Sequence, residues 1–401
     1  GVTAAKGFKA ASTAAEIKYK GRTDMAMVFS EVPCVAAGTF TTNVVKAAPV
    51  RWDQDIVYNH QGARAVICNS GIANACTGEE GFGYCKETAK AASESLGIPE
   101  DSVLVASTGV IGMQLPIDRI ANGVKAMAPK LEGSREAGLE AAKAIMTTDT
   151  EKKEAAVEIE IGGKTVTVGG MCKGSGMIHP NMATTLNFVT TDVAVTTEMV
   201  QKALSDIVKV TYNCLSIDGD TSTNDMVSVM ANGLAGNKEI TAEGEDYDKF
   251  KQALYIVMSN MTKMLASDGE GASKLLECTC GGAPDIETAI IVAKSVIRSP
   301  LFKCAMFGED ANWGRILCAI GYAEADFDIA KVSVSLRSEV GSVKVCENGA
   351  GVEFSEDEAA KILAKDEIFI DIDLGQGDVS AKAWGCDLTY DYVKINGDYR
   401  S

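Results

Sequence analysis

Apolar residues recur along this chain at two spacings, and the spacing switches from one segment to the next. Residues 84–96 carry them at helical spacing, and Gly97 and Pro99 predict where that helix stops. Helices are likewise predicted over 117–128, 134–146, 197–209, 247–266 and 286–298. The 247–266 helix is the longest, with Phe250, Leu254, Val257, Met258, Met261 and Leu265 on one face. Such a methionine-bearing stripe reads as core rather than as a cofactor contact. Ser299-Pro300 ends the 286–298 helix, and Asp310 is expected to cap another that runs to 321. Residues 101–107 read as a short buried strand leading into Thr108-Gly109. Residues 158–168 alternate with period two about Gly162-Gly163, a hairpin pattern. Residues 332–336, 343–346, 369–374 and 379–384 read as strands, and Ser355-Glu-Asp-Glu358 opens a helix among them with a capping box. The fold class is α/β, with no repeat, no low-complexity linker and no boundary visible in composition.

Composition narrows the classes of function. A chain of 401 residues is expected to form two or more packed units. Its 46% hydrophobic and 23% charged residues are those of an ordinary globular protein. A net charge of −17 argues against nucleic-acid partners and against anionic membrane surfaces. No apolar run reaches the roughly 18–20 residues of a membrane span, and no charged-then-apolar leader opens the chain, so no signal peptide is expected. Twelve cysteines are scattered without a C-x-x-C pair, several in apolar runs such as Ala65-Val-Ile-Cys68. They are expected to be reduced, buried thiols of a cytoplasmic protein rather than zinc ligands or disulfides. Gly163-Lys164-Thr165 looks like the end of a phosphate loop, but Glu158 stands where its first glycine belongs. Asp218–Asp225 lacks the closing glutamate of a calcium loop, so no metal is expected.

The chemistry concentrates in Lys173-Gly-Ser-Gly-Met-Ile-His-Pro-Asn-Met-Ala-Thr-Thr-Leu186. It sets a threonine directly after a small residue, at Ala183–Thr184, in a segment punctuated by glycine and proline. Only two histidines exist, His60 and His179, so a serine–histidine site is disfavoured and another base is needed. An N-terminal threonine carries its own, because an α-amino group titrates at about 7.7–8.0, close to working pH. Read locally, Thr184 is equally a loop threonine capping a helix, and Ser107-Thr-Gly109 an ordinary strand-to-loop turn.

The chain as a whole resembles the glutamate N-acetyltransferase (ornithine acetyltransferase) family of arginine biosynthesis. The resemblance rests on the segment just quoted and on a series of others in order. They are Gly1-Val-Thr-Ala-Ala-Lys-Gly-Phe8, Cys68-Asn-Ser-Gly-Ile-Ala-Asn-Ala-Cys-Thr-Gly78, Ser107-Thr-Gly-Val-Ile-Gly112 and Thr147-Thr-Asp149. Asp218-Gly-Asp-Thr-Ser-Thr-Asn-Asp225, Asp268-Gly-Glu-Gly-Ala-Ser273, Gly308-Glu-Asp-Ala-Asn-Trp-Gly-Arg315 and the closing Tyr392–Ser401 stretch complete it. Ile72 stands where the family usually has asparagine, and Thr185 where it usually has an apolar residue.

The resemblance implies an N-terminal-nucleophile-like layered α/β sandwich with a C-terminal α+β portion from about residue 325. It implies self-cleavage between Ala183 and Thr184 into chains 1–183 and 184–401, paired as α2β2 or higher. Thr184 would be the nucleophile, and Thr108 and Gly109 the oxyanion hole. Thr147, Asn396 and Ser401 match substrate contacts. Lys173, on a glycine-rich loop, would receive the substrate α-carboxylate. Glu270, between two glycines, would face the side-chain ammonium of ornithine or assist proton transfer. As types, lysine and glutamate are surface charges by default. The activity implied is acetyl transfer from N2-acetylornithine to glutamate through an acetyl-threonine. No metal or prosthetic group is needed, and acetyl-coenzyme A enters only as a co-substrate. Two rivals are a self-processing N-terminal-threonine aminopeptidase or amidase, and a non-catalytic protein whose glycine-rich loops hold an anion.

Overall fold

The computed structural model describes residues 1–60, 62–180 and 185–398. The chain divides into two compact units with interleaved segments. One holds residues 1–174, 180–209 and 221–261, and the other 175–179, 210–220 and 262–401. Because the chain passes between them several times, no composition shift marks a boundary. The fold is α/β, with helices layered on sheets.

The first unit is built on an eight-stranded sheet. Its order is Val103–Val110, Gly62–Ile72, Met25–Phe40, Met226–Ala231, Leu186–Thr191, Lys164–Lys173 and Lys153–Ile161, with Phe8–Thr13 added on Met25–Phe40. The long Met25–Phe40 strand pairs with Gly62–Ile72 mainly through its first half and with Met226–Ala231 through its second. Successive side chains of the strands enter two separate cores. Met25, Met27, Ala65, Ile67, Val103 and Val105 pack in one, while Ala26, Val28, Val66, Cys68, Leu104 and Ala106 pack in the other. Strands covered on both faces read as unbroken apolar runs without a period of two. Helices Gly78–Leu96 and Ile117–Met127 close the first core, and Arg135–Ala144 closes the second.

The second unit holds a seven-stranded sheet in the order Ala350–Gly351, Gly341–Glu347, Ser333–Ser338, Glu367–Asp373, Leu275–Ala283, Val379–Cys386 and Leu215–Ser216. The strands Glu367–Asp373 and Val379–Cys386 pair onto Leu275–Ala283, and the unit reaches back to residue 262. Helix Ile286–Ile297 packs on Leu275–Ala283 and Val379–Cys386.

The predicted helices form, with shifted ends. The first begins at Gly78, ahead of residue 84, and Gly97 closes it in the left-handed conformation (φ 66°). The apolar face of Glu245–Ser267 is fully buried from Phe250 to Leu265. Two expectations are corrected. Asp310 does not cap the helix Trp313–Gly321; Asn312 does, accepting the Arg315 N–H, while Asp310 accepts the Asn312 side-chain amide. Ser299 is not merely a stop, for its side chain caps a further helix, Pro300–Phe307, with proline in the first turn where its missing N–H is harmless.

Candidate active site

Within the first unit the strand Val103–Val110 lies parallel to Gly62–Ile72 and pairs Thr108 with Ser70 and Gly109 with Gly71. Gly109 has φ 132°, and a Cβ there would stand 2.2 Å from the Gly71 carbonyl carbon. Only glycine lets the two backbones meet so closely. Buried amides hold this turn from behind. Asn224 donates to the carbonyls of Ala73 (2.6 Å) and Ser107 (2.8 Å). Ser107 donates to Asn69 Oδ1 (2.7 Å), whose amide nitrogen donates to the Ile72 carbonyl (2.9 Å).

Lys173 ends the strand Lys164–Lys173. Its Nζ donates to Thr147 Oγ1 at 2.8 Å and to Thr108 Oγ1 at 3.3 Å, and lies 3.7 Å from Asp149 Oδ2. The residue is 7% exposed, so it is not the solvated charge its type suggests. Asp149 Oδ1 accepts from Lys153 Nζ (2.8 Å) and from the Gly174 N–H (2.6 Å), and Oδ2 from the Thr147 N–H (3.0 Å). Burial alone would raise its pKa; the charges of Lys173 and Lys153 and these hydrogen bonds overcome that and hold the carboxyl well below its ordinary range. Two lysines thus face the one carboxylate of Asp149, and Lys173 brings its charge to the two threonine hydroxyls.

The same sheet takes up the chain again at Leu186. Leu186 pairs with Lys173 on one side and with Met226 on the other. Ala183 and Thr184, expected as cleavage pair and nucleophile, lie outside the described residues, as does Ser401.

In the second unit, Glu270 is 8% exposed and Asn396 Nδ2 donates to its Oε2 at 2.7 Å. The Glu270 N–H donates to the Ser175 carbonyl (2.7 Å), and a side chain on Gly176 would run into the carboxylate, 2.3 Å from Oε2. Glycine at 176 thus makes room for Glu270. Asp218 accepts the N–H groups of Met177 (2.6 Å) and Ile178 (2.9 Å), turning the Gly174–His179 loop. The expected residues therefore form two described groups, Thr108, Gly109, Thr147 and Lys173 in one unit and Glu270 and Asn396 in the other.

Sequence reading passed over Asn69, Asp149, Asn224 and Asp225 as individuals, although all lie in quoted segments. The available signal was polar residues among small ones in loops, where a buried backbone needs partners. The histidines take no such place. His60 is exposed beside Asp55 and Asp101. His179 contacts Ser216 Oγ (3.0 Å), and burial, with Lys294 and Arg298, lowers its pKa to about 4. Among the described residues no cysteine is in a disulfide; nine of the twelve are buried, while Cys76, Cys304 and Cys318 are exposed. Burial pushes thiols such as Cys172 up to about 12, so they stay protonated. Among the described residues, no group of three or more His, Cys, Asp or Glu is placed to hold a metal, and no helix is long and apolar enough to cross a membrane.

A threonine hydroxyl whose oxygen is occupied by a lysine has its proton left to donate. Beside a glycine turn, that suits the negative charge of a tetrahedral intermediate and describes an enzyme of acyl transfer. Comparison with known proteins makes this specific. The ArgJ family model matches residues 9–401, and the chain belongs to that family. It is 51% identical to the arginine biosynthesis bifunctional protein ArgJ of Symbiobacterium thermophilum, over 100% of this chain and 98% of the relative. It is 48% identical to ArgJ 1 of Clostridium acetobutylicum, over 98% and 96%. A crystallised ArgJ chain from Bacillus halodurans is 44% identical with a TM-score of 0.50, covering 52% of this chain and 97% of its own.

Proposed function

We propose that the chain transfers acetyl from N2-acetylornithine to glutamate, with Thr184 carrying the acetyl group as an ester. The observation that carries this is the meeting of Lys173 with Thr108 and Thr147 beside the glycine turn, in a chain that matches acetyltransferases of arginine biosynthesis from end to end. In maturation, Thr184 Oγ attacks the Ala183 carbonyl, the C–N bond breaks, and an ester forms. Water then splits the ester, freeing the Ala183 carboxylate and the Thr184 amine. In turnover that amine takes the hydroxyl proton as Oγ attacks acetylornithine, and ornithine leaves. Glutamate nitrogen then attacks the ester carbonyl, the C–O bond to Oγ breaks, and the proton lost by the glutamate amine passes through the Thr184 amine back to Oγ. Thr108 and Gly109 face the oxyanion. Lys173 receives the α-carboxylate common to both amino acids, with Thr147 alongside. Glu270, oriented by Asn396, receives the ornithine ammonium, and Ser401 closes the substrate contacts.

This reading makes the mature protein two chains, 1–183 and 184–401, paired as α2β2 or higher. The crystallised Bacillus halodurans chain matches 52% of this one, close to the share that residues 184–401 make up. No resident metal or prosthetic group takes part, and acetyl-coenzyme A serves only as a second donor. Twelve cysteines, with no disulfide among the described residues, suit the cytoplasm.

The test is a single turnover. Enzyme mixed with acetylornithine alone should release about one ornithine per site and add one acetyl mass to the fragment starting at Thr184. Continued release without glutamate would instead make the chain a hydrolase. Neither release nor acetylation would remove the covalent role.

A further inference from the structure

Thr185 has φ 58°, a left-handed backbone that is rare for a β-branched residue and needs support. Three hydrogen bonds hold it. Asp225 Oδ1 accepts its N–H at 2.7 Å, the Met226 N–H donates to its carbonyl at 2.8 Å, and Asn187 Nδ2 donates to its Oγ1 at 2.7 Å. Asp225 is 2% exposed, and its Oδ2 is buried without a hydrogen-bond partner.

The N–H that Asp225 holds belongs to the peptide joining Thr184 to Thr185. Given Thr184 as the nucleophile, we infer that Asp225 is a positioning residue: through that N–H it fixes the peptide from which the nucleophile projects. A peptide is planar, so an acceptor held on the Thr185 N–H restrains the one bond by which the nucleophile is joined to Thr185. Once the chain is cut, this peptide is the only covalent tie of Thr184 to the protein. The anchor therefore matters for every acetyl transfer and not only for maturation.

The state of the acid suits this place. Burial raises its pKa to about 8, against the lowering effects of the Thr185 N–H, Ser222 and the Lys173 charge. Near neutral pH it is mostly a neutral acceptor, so it adds little negative charge beside a site where an oxyanion must form.

The test compares Asp225→Leu, close in shape but without an acceptor, with Asp225→Asn, which keeps one. On cleaved, folded enzyme, Asp225→Leu should lower kcat about 10- to 100-fold, as loss of alignment does, with KM for acetylornithine within about twofold. Its self-cleavage, followed on denaturing gels, should slow as well. Asp225→Asn should recover most of both losses. If the leucine protein does not fold, Asp225→Ser, smaller and too short to reach the N–H, replaces it with the same expectation. Full kcat and normal cleavage in the leucine or serine variant would overturn the inference. So would an asparagine variant as slow as leucine, or a loss confined to KM. Thr184→Ala is run beside them. If it still cuts itself or turns over, the nucleophile assignment fails. If it stays whole and inactive while Asp225→Leu works at full rate, only the role of Asp225 fails.

Discussion

Lys173 donates to Thr108 through a 3.3 Å contact between Nζ and Oγ1, so the hydroxyl proposed to face the oxyanion has its oxygen already occupied. A hydroxyl has one proton and two lone pairs. With a cation on one lone pair the O–H is polarised, and its proton is free for a new acceptor. The same lysine holds Thr147 at 2.8 Å. One buried charge thereby sets two hydroxyls from separate parts of the chain.

Thr108→Ala removes the donor. A missing oxyanion contact lowers kcat by about 10²–10³, and because the charge develops only in the transition state, KM should change far less. Thr108→Ser keeps the hydroxyl and should recover much of the rate. Steady-state kinetics on the three proteins decide this, and a loss found only in KM would move Thr108 from catalysis to recognition.

Lys173→Met acts twice. It frees both hydroxyls to rotate, and it removes a buried positive charge. The expected result is a lower kcat together with a higher KM for acetylornithine and for glutamate, both read by the shared α-carboxylate. If KM rises for one amino acid alone, the lysine is reading some other group.

Gly109→Ala tests the close approach. The new methyl would stand 2.2 Å from Gly71 carbonyl carbon and 2.6 Å from Ile72 nitrogen, both backbone atoms that cannot swing aside. Destabilisation of more than about 1 kcal/mol is expected, because φ there is also positive. Even a well-folded fraction should have lost about 10²-fold in kcat if the turn shifts by an ångström. Thermal denaturation and active-site titration separate the two effects, and an alanine protein with parental stability and rate contradicts the geometry.

How much of this was legible in the sequence depends on what each residue touches. Helices with one wet face announced themselves by spacing, as did the half-exposed strands near the end, such as Ser333–Ser338 with its strict alternation of burial. The strands Met25–Phe40 and Gly62–Ile72 did not, since both faces are covered and the apolar run has no period. Thr108 and Gly109 are picked out through the family resemblance, since read locally Ser107-Thr-Gly109 is an ordinary strand-to-loop turn. The burial of Lys173 and Glu270 could not be read, because their partners come from distant segments. Asn224 shows the same limit, since its carbonyl partner on Ala73 is 151 residues away in sequence. Asp310 and Asn312 are equally good caps by type, and only the hydrogen bond to Arg315 separates them.

Two buried carboxyls should give stability opposite slopes with pH. Asp149 has its folded pKa depressed, so its stabilisation is present above the ordinary carboxylate pKa of about 3.9 and is lost as pH falls below it. Asp225 has its folded pKa raised to about 8, so its contribution is full below about 4, declines as pH rises, and is gone above 8. Asp149→Asn leaves Lys153, 1% exposed, without its anion, and breaking such a buried pair costs about 3–5 kcal/mol at neutral pH. That deficit should shrink as both proteins are taken below pH 4, where the parent carboxyl protonates in the unfolded chain. Asp225→Asn cannot ionise. Relative to the parent it should therefore gain stability steadily from pH 4 to 8 and show a constant difference beyond. Thermal melts of the three proteins across pH 3.5–9 test both slopes against each other. A parallel offset for Asp225→Asn at every pH would mean that Asp225 is ionised throughout in the folded protein, and the neutral acceptor next to Thr185 would have to be abandoned.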